Sequence, residues 1–328
     1  MSAPEPRANP RFEGHDAAVS ALVHAAQSAR LHHGWLLSGP AGIGKATLAY
    51  RFGRWLLAGG QSHDLAIPET SGPFRRVAAA THPDFFTVER RINAKTEKLQ
   101  GEIVIATIQE ASAFMRLTPA EGGWRVVVVD GAEDMNINAA NALLKLLEEP
   151  PARAILLLTS AAPGRLLPTI RSRCRALPMS PLPEAPMRRL LNAYLPATDP
   201  SEQARLLELA EGSIGNALNL AQGGGMALSS LVDEALDGVV KPVRAQAIAD
   251  EVVRSIDGAD KFEMFFVLLR TRLAARTRAA ARAGVNAENL QHYITLWQDF
   301  GKLERDVLGL NLDKRAAVIV ALEQLHRP

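Results

Sequence analysis

Along the first 180 positions, short apolar runs alternate with stretches in which apolar residues recur every three or four places. That alternation predicts a parallel β-sheet covered by helices on both faces, an α/β arrangement. Five runs read as strands: Trp35 to Ser38, Asp84 to Glu89, Arg125 to Asp130, Ala154 to Thr159 and Arg175 to Met179. The middle ones are nearly continuous Val, Ile and Leu, as expected of strands buried on both faces. After the first strand, Leu48, Phe52, Trp55 and Leu56 fall at i, i+4, i+7 and i+8, which gives a helix one face to lay on the sheet. From Gly59 to Pro83 the composition turns to Gly, Ser, His and Pro and predicts a surface excursion. Residues Arg90 to Lys98 add a polar, basic loop.

The pattern changes at Pro178, Pro181, Pro183 and Pro186, a spacing that neither a helix interior nor a central strand tolerates. Short helices fit from Met187 to about Gln222, and Gly223, Gly224 and Gly225 stop them. Beyond Met226 the periodicity is helical throughout; Phe262, Phe265, Phe266 and Leu269, at i, i+3, i+4 and i+7, exemplify it. The expected organisation is a sheet domain over 1–180, with 1–10 as a flexible Pro- and Ala-rich leader, a small helical domain over 181–225, and an all-α domain over 226–328.

Composition narrows the function classes. With 37 basic and 35 acidic residues, the net charge of +2 creates no field that would by itself attract nucleic acid or an anionic membrane. Cys174 is the only cysteine, so neither an intrachain disulfide nor a Cys-rich zinc module is available, and a reducing cytoplasm fits. No apolar run reaches the roughly 18 residues of a membrane span, and the first residues lack the apolar segment of a signal peptide. A cytoplasmic protein without membrane contact is expected.

The candidate chemistry starts at Gly39-Pro40-Ala41-Gly42-Ile43-Gly44-Lys45, between a predicted strand and a predicted helix. In a phosphate loop, backbone N–H groups cradle the phosphates, the lysine pairs with them, and a following Ser or Thr holds Mg²⁺. Gly39, Gly42, Gly44 and Lys45 are in place, but the hydroxyl position is Ala46. Thr47 is one place late, about 100° further round the helix. Phosphate binding can survive this change, whereas Mg²⁺ positioning is compromised.

Hydrolysis also needs an acidic pair after the third strand, one acid acting on the metal and the next polarising the attacking water. The strand delivers Asp130, but Gly131 follows it, and Glu133 is expected to face elsewhere. Each factor of a thousand in rate is worth about 4 kcal/mol of barrier, so losing both groups predicts negligible turnover. Asp130 has a second reading as a turn residue closing a core strand.

The remaining motifs are His32-His33, His82-Pro83-Asp84, the run Asn138-Ala139-Ala140-Asn141-Ala142-Leu143-Leu144-Lys145-Leu146-Leu147-Glu148-Glu149-Pro150-Pro151, and Ser172-Arg173-Cys174. Together with the glycine loop, in this order, they resemble the AAA+ clamp-loader family of bacterial DNA polymerase III, most closely on its delta-prime branch. The resemblance covers about Pro10 to Met179, with weaker matches at Gly212-Ser213 and Asn311-Leu312-Asp313. It implies an AAA+ P-loop sheet domain, a helical lid and a helical collar that joins a ring of related subunits.

The resemblance also implies that Arg173 is an arginine finger acting on a neighbour's ATP; such fingers contribute on the order of 10³ to 10⁵ in rate. The other reading of Arg171 and Arg173 is that they hold surface carboxylates. Where motor members of the family carry a lid arginine, this chain has Gly215. The four-cysteine zinc module of many relatives is missing. Thr159 and Ser160 lie near the place of a γ-phosphate contact, or simply cap a strand. Implied partners are gamma/tau-like motor subunits, a delta-like subunit, the sliding clamp and primed DNA.

The expected role is a hydrolysis-deficient stator that needs no cofactor and at most binds ATP or ADP passively. The competing readings are an active motor that uses Lys45, Asp130 and Thr47, and a more distant AAA+ helicase loader. Arg270, Arg272, Arg276, Arg278 and Arg282 scatter around one helix and form no DNA-facing stripe. His32 and His33 suit packing or a helix C-terminus better than a metal. Trp124 and Trp297 are expected as core or interface anchors, and Cys174 as a small buried hydrophobe.

Overall fold

A computed structural model describes residues 3–28, 31–92, 99–222, 224–254, 261–284, 287–310 and 312–325. Its chain divides into two compact units, Met1–Leu218 and Asn219–Pro328. The sheet domain and most of the predicted lid fall together in the first.

That first unit opens with helix α1 (Asp16–Gln27), β1 (Gly34–Ser38), α2 (Lys45–Leu57) and α3 (Gly72–Ala78). It continues through β2 (Phe85–Val88), α4 (Ile105–Arg116), β3 (Arg125–Val129), α5 (Ile137–Glu148), β4 (Ala154–Ser160), α6 (Pro168–Arg173) and β5 (Arg175–Pro178). The five strands form one parallel sheet in the order β2-β3-β4-β1-β5. The α/β P-loop class read from the pattern is therefore the class observed, and each strand lies within two residues of its predicted ends. Because side chains alternate along a strand, Val126 and Val128 enter the core under α1 and α2, and Val127 and Val129 enter the one under α4 and α5. Leu48, Phe52, Trp55 and Leu56 are all buried against the first of these faces.

Three helices complete the unit: α7 (Glu184–Tyr194), α8 (Pro200–Ala210) and α9 (Ile214–Ala221), the last of which runs across the boundary. The second unit is helical: α10 (Gly225–Asp237), α11 (Pro242–Val253), α12 (Lys261–Arg282), α13 (Ala287–Leu310) and α14 (Lys314–Gln324). Phe262, Phe265 and Phe266 pack with Phe300 in its core. The α12 arginines find acidic partners inside this unit: Arg270 with Glu304, Arg272 with Asp233 and Arg276 with Asp237. Asp313 caps α14, and Asn311 lies outside the described residues. Trp297 is half-exposed on α13, whereas Trp124 packs on the sheet core. None of the described helices is long and apolar enough to cross a membrane.

Two expectations need correction. The stretch from Gly59 to Pro83 is more than a surface excursion, because Leu65, Phe74 and Val77 are buried and Ser71 caps a helix. The leader does not behave as a flexible one from Glu5 onward. Pro6–Ala8 form a 3₁₀ turn, and Arg54 in α2 donates to the carbonyls of Arg7 at 2.9 Å and Asn9 at 2.7 Å. Arg54 is only 1% exposed and stacks on Phe74; burial pulls its pKa down to about 10. A buried cation holding backbone carbonyls is costly to leave unpaired, so this segment is fixed by the same helix that carries the glycine loop. In the predicted basic loop, Arg90 pairs with Asp134 and Arg91 with Glu110, and 93–98 lie outside the described residues.

Candidate functional site

The glycine loop leaves the C-terminal end of β1, where Gly39 N donates to Ser160 O at the end of β4. Gly44 caps α2 with φ +104, a backbone state that side chains with a Cβ rarely adopt. Lys45, the first helical residue, is 8% exposed. Its ammonium donates to the carbonyls of Gly39 at 2.8 Å and Pro40 at 2.6 Å. Burial lowers the Lys45 pKa, against the opposing pull of Glu133 and then Asp130. The lysine expected to reach a phosphate is thus tied to its own loop.

Asp130 follows β3 and accepts from the Thr159 hydroxyl at 2.6 Å, while Thr159 accepts from Gly131 N at 3.0 Å. The Thr159 proton therefore goes to the neighbouring carboxylate. Gly131 has φ +74 and starts a 3₁₀ turn over Ala132–Asp134, so the second acidic position of a hydrolytic pair is here a left-handed turn. That turn brings Glu133 back towards Lys45, contrary to the expectation that it faces elsewhere. Glu133 lines the same cavity and accepts from Ala161 N at 2.6 Å through Oε1; Oε2 is buried without a hydrogen-bond partner among the described residues. No local signal announces it, since a glycine permits a left-handed turn without requiring one.

The lid closes on the loop from the other side. Ser213 donates to Ala41 O at 2.9 Å, and Gly215 N donates to Gly42 O at 2.9 Å. A Cβ on Gly215 would come within 2.8 Å of Gly42 Cα, so at this position the lid has no room for any side chain, an arginine included. A cavity of about 390 Å³ remains between the loop, the lid and the N-terminal segment; Gly42, Gly44, Lys45, Ala46, Thr47, Asp130 and Glu133 are on its wall. Asn9 Nδ2 donates to the Tyr194 hydroxyl at 2.9 Å, a link from segment to lid that the sequence did not announce. Against the pattern of a working Mg²⁺-ATP site, the hydroxyl position is Ala46, the second acidic position is Gly131, and the Lys45 ammonium is held by two loop carbonyls.

Arg173 lies at the other end of the sheet. It ends α6, directly before β5, and its carbonyl lies beside Gly34 at the start of β1. The glycine loop begins where β1 finishes, and at about 3.3 Å per residue five strand positions separate the two by roughly 16 Å. The guanidinium is partly exposed, bridges to Glu148 Oε1 at 2.9 Å and donates to Thr169 O at 3.2 Å. Cys174 beside it is buried, and burial pushes its pKa up to about 12. An arginine so placed cannot serve the cavity of its own chain.

A family model described as DNA polymerase III, delta subunit, matches residues 14–183, just over half of the chain. The chain belongs to this family. Among curated relatives it is similar to the DNA polymerase III delta-prime subunit of Pseudomonas aeruginosa, 37% identical over 224 residues that cover 68% of this chain and 65% of the relative. Similarity to the Escherichia coli delta-prime subunit is 34% over 202 residues, covering 62% and 58%. The match thus spans less than two thirds of either relative's length. The Escherichia coli tau subunit is 28% identical over 288 residues, covering 84% of this chain and 41% of tau. A gamma-subunit-related protein of Thermotoga maritima is 18% identical in structure alignment, with a TM-score of 0.46, covering 93% and 98%.

The family stretch of this delta-type chain includes the two histidine motifs, and both are structural. His33 Nε2 bonds to Leu147 O at 2.9 Å, at the C-terminal end of α5, and stacks on His32. His82 Nδ1 accepts from Asp84 N, and Asp84, 1% exposed, accepts from Ala120 N and Glu121 N beside the Arg125 guanidinium. Asp84 thereby fixes the loop into β3. Around the Asn138 to Pro151 run, α5 is capped by Asn136, whose side chain accepts from Ala139 N, and it stops before Pro150.

Proposed function

We propose that this chain is a delta-prime-type, hydrolysis-deficient subunit of a DNA polymerase III clamp loader, helping to place the sliding clamp on primed DNA in the cytoplasm. In this reading it joins gamma/tau-like motor subunits and a delta-like subunit through the helical second unit, and Arg173 completes the ATP site of a neighbouring motor. The observation that carries the reading is the separation of Arg173 from its own chain's glycine loop across the length of β1. A guanidinium stays charged at neutral pH and offers a planar set of donors to a phosphate, so a partly exposed arginine at the far edge suits service in trans. The defects at Ala46, Gly131 and Gly215 concern only this chain's own site, where nucleotide would bind passively if at all.

The second reading is an active motor, which Glu133 favours because it supplies the Lys45 cavity with a carboxylate that the local motif lacks. Steady-state ATP turnover separates the two, measured with this chain added to its motor subunits, clamp and primed DNA. The stator reading expects Arg173→Ala to abolish the stimulated turnover and Lys45→Ala to leave it unchanged. The reverse pattern establishes a motor and removes the trans role.

A further inference from the structure

The C-terminal end of α5 is held against the start of β1, at the end of the sheet near Arg173. His33 bonds to Leu147 O at 2.9 Å, Leu147 packs where a Cβ on Gly34 would come within 2.8 Å of its Cδ2, and Pro150 and Pro151 end the helix. Glu148 is the next residue on that fixed end, and its Oε1 lies 2.9 Å from Arg173. Thr169 O takes a second donor, on the other terminal nitrogen. Two anchors from two helices thus define the plane of the guanidinium, while its side chain remains 38% exposed. Of the five N–H donors of an arginine, one is hydrogen-bonded to Thr169 O and the Glu148 carboxylate makes an ion-pair contact beside it, so among the described residues the others are left for an incoming anion.

We propose that Glu148 is a positioning residue for Arg173, fixing the guanidinium at the end of α6 so that its remaining donors meet a phosphate of a neighbouring subunit's nucleotide. This rests on the trans reading of Arg173. A carboxylate at this place lowers the rotamer freedom of a long side chain that must otherwise be ordered when the subunits meet. Because an exposed pair contributes little to folding, its removal is felt at the finger and not in stability.

The test is ATP turnover by the reconstituted complex with clamp and primed DNA, using Glu148→Ala, Glu148→Gln, Arg173→Ala and the Glu148→Ala/Arg173→Ala double variant. Each variant is first shown to elute in the intact complex with an unchanged urea midpoint. Glu148→Ala should lower turnover about three- to tenfold. Glu148→Gln, which keeps an acceptor oxygen, should recover most of it. Arg173→Ala should lower turnover on the order of 10³-fold, and the double variant should be no worse, because a positioning residue has nothing to position without the arginine. Normal turnover in Glu148→Ala beside a collapsed Arg173→Ala overturns the inference and spares the finger. Faster turnover in Glu148→Ala also overturns it, since Glu148 would then restrain the arginine. Normal turnover in Arg173→Ala overturns the trans reading itself.

Discussion

The amide of Gly215 in the lid donates to the carbonyl of Gly42 in the phosphate loop at 2.9 Å, and the two Cα positions are so close that neither residue has room for a side chain facing the other. A contact of this kind joins lid to loop through backbone alone. Gly215→Arg, the change that would reinstate a lid arginine, should therefore unseat the lid instead of creating a phosphate sensor. A cost of about 1 to 3 kcal/mol is expected for overpacking, read as a lower urea midpoint. Gly215→Ala should already show part of it, and a wild-type midpoint for both would mean that the lid does not rest on the loop.

Asp84 presents a second case in which one side chain organises a whole loop. Its carboxylate accepts from two backbone amides and lies 3.4 Å from the buried Arg125 guanidinium. Asp84→Ala leaves that guanidinium without its acid and two amides without acceptors, which should cost about 3 to 5 kcal/mol. Asp84→Asn should cost less, since one acceptor oxygen remains. Chemical denaturation of the two variants ranks them; equal stabilities would show that Arg125 is satisfied by Leu117 O and Thr118 O alone.

How much of this was legible in the sequence depended on the range of the interaction. The strands and the α2 face could be read because burial on a sheet imposes periods of two and of three to four on neighbouring residues. The place of Arg173 could be read from motif order. Glu133 could not, because its direction depends on the left-handed turn at Gly131, and a glycine reports freedom without saying how it is used. Nor could the docking of Asn9 on Tyr194, which are separated by most of the unit and carry no local signal. The N-terminal residues resembled a loose leader by composition, and only the buried Arg54 that grips their carbonyls gives them a place.

Acid should weaken the first unit through its histidines. Burial lowers the pKa of His15, His33 and His82 below the ordinary value of 6.5. The unfolded chain then binds protons that the folded one refuses, so stability rises with pH in this range. The contribution is fully present above about pH 6.5 and is lost as pH falls towards the depressed folded values. His82 has a specific reason: its Nδ1 accepts from Asp84 N at 3.1 Å, a bond that a protonated ring cannot make. Urea midpoints at pH 7.5 and 5.5 should differ in that direction, and His82→Gln should reduce the difference. A flat profile would show that these rings protonate in place.

Cys174 adjoins Arg173 yet should be chemically quiet. With its pKa raised to about 12 by burial, only about one thiol in ten thousand is ionised at pH 8. Alkylation of the native chain should therefore be slower than that of the urea-unfolded chain by about two or more orders of magnitude. Timed labelling read by mass spectrometry measures it. Comparable rates would mean that the end of α6 opens readily, which is incompatible with a fixed arginine at its tip.

Restoring the two missing motif residues should not make this chain an ATPase. Ala46→Thr returns a hydroxyl to the place where Mg²⁺ is held in working phosphate loops, and Gly131→Glu returns the second acid. The Lys45 ammonium, however, remains tied to Gly39 O and Pro40 O, and a glutamate at position 131 must adopt φ near +74 at a cost of roughly 1 to 2 kcal/mol. The lid still lies backbone to backbone on the loop, with no place for a charge-stabilising arginine. Phosphate release by the isolated double variant should therefore stay at the background of the native chain. A clear gain would show that the loop reopens once the hydroxyl and the second acid are returned, and that Ala46 and Gly131 together keep the site silent.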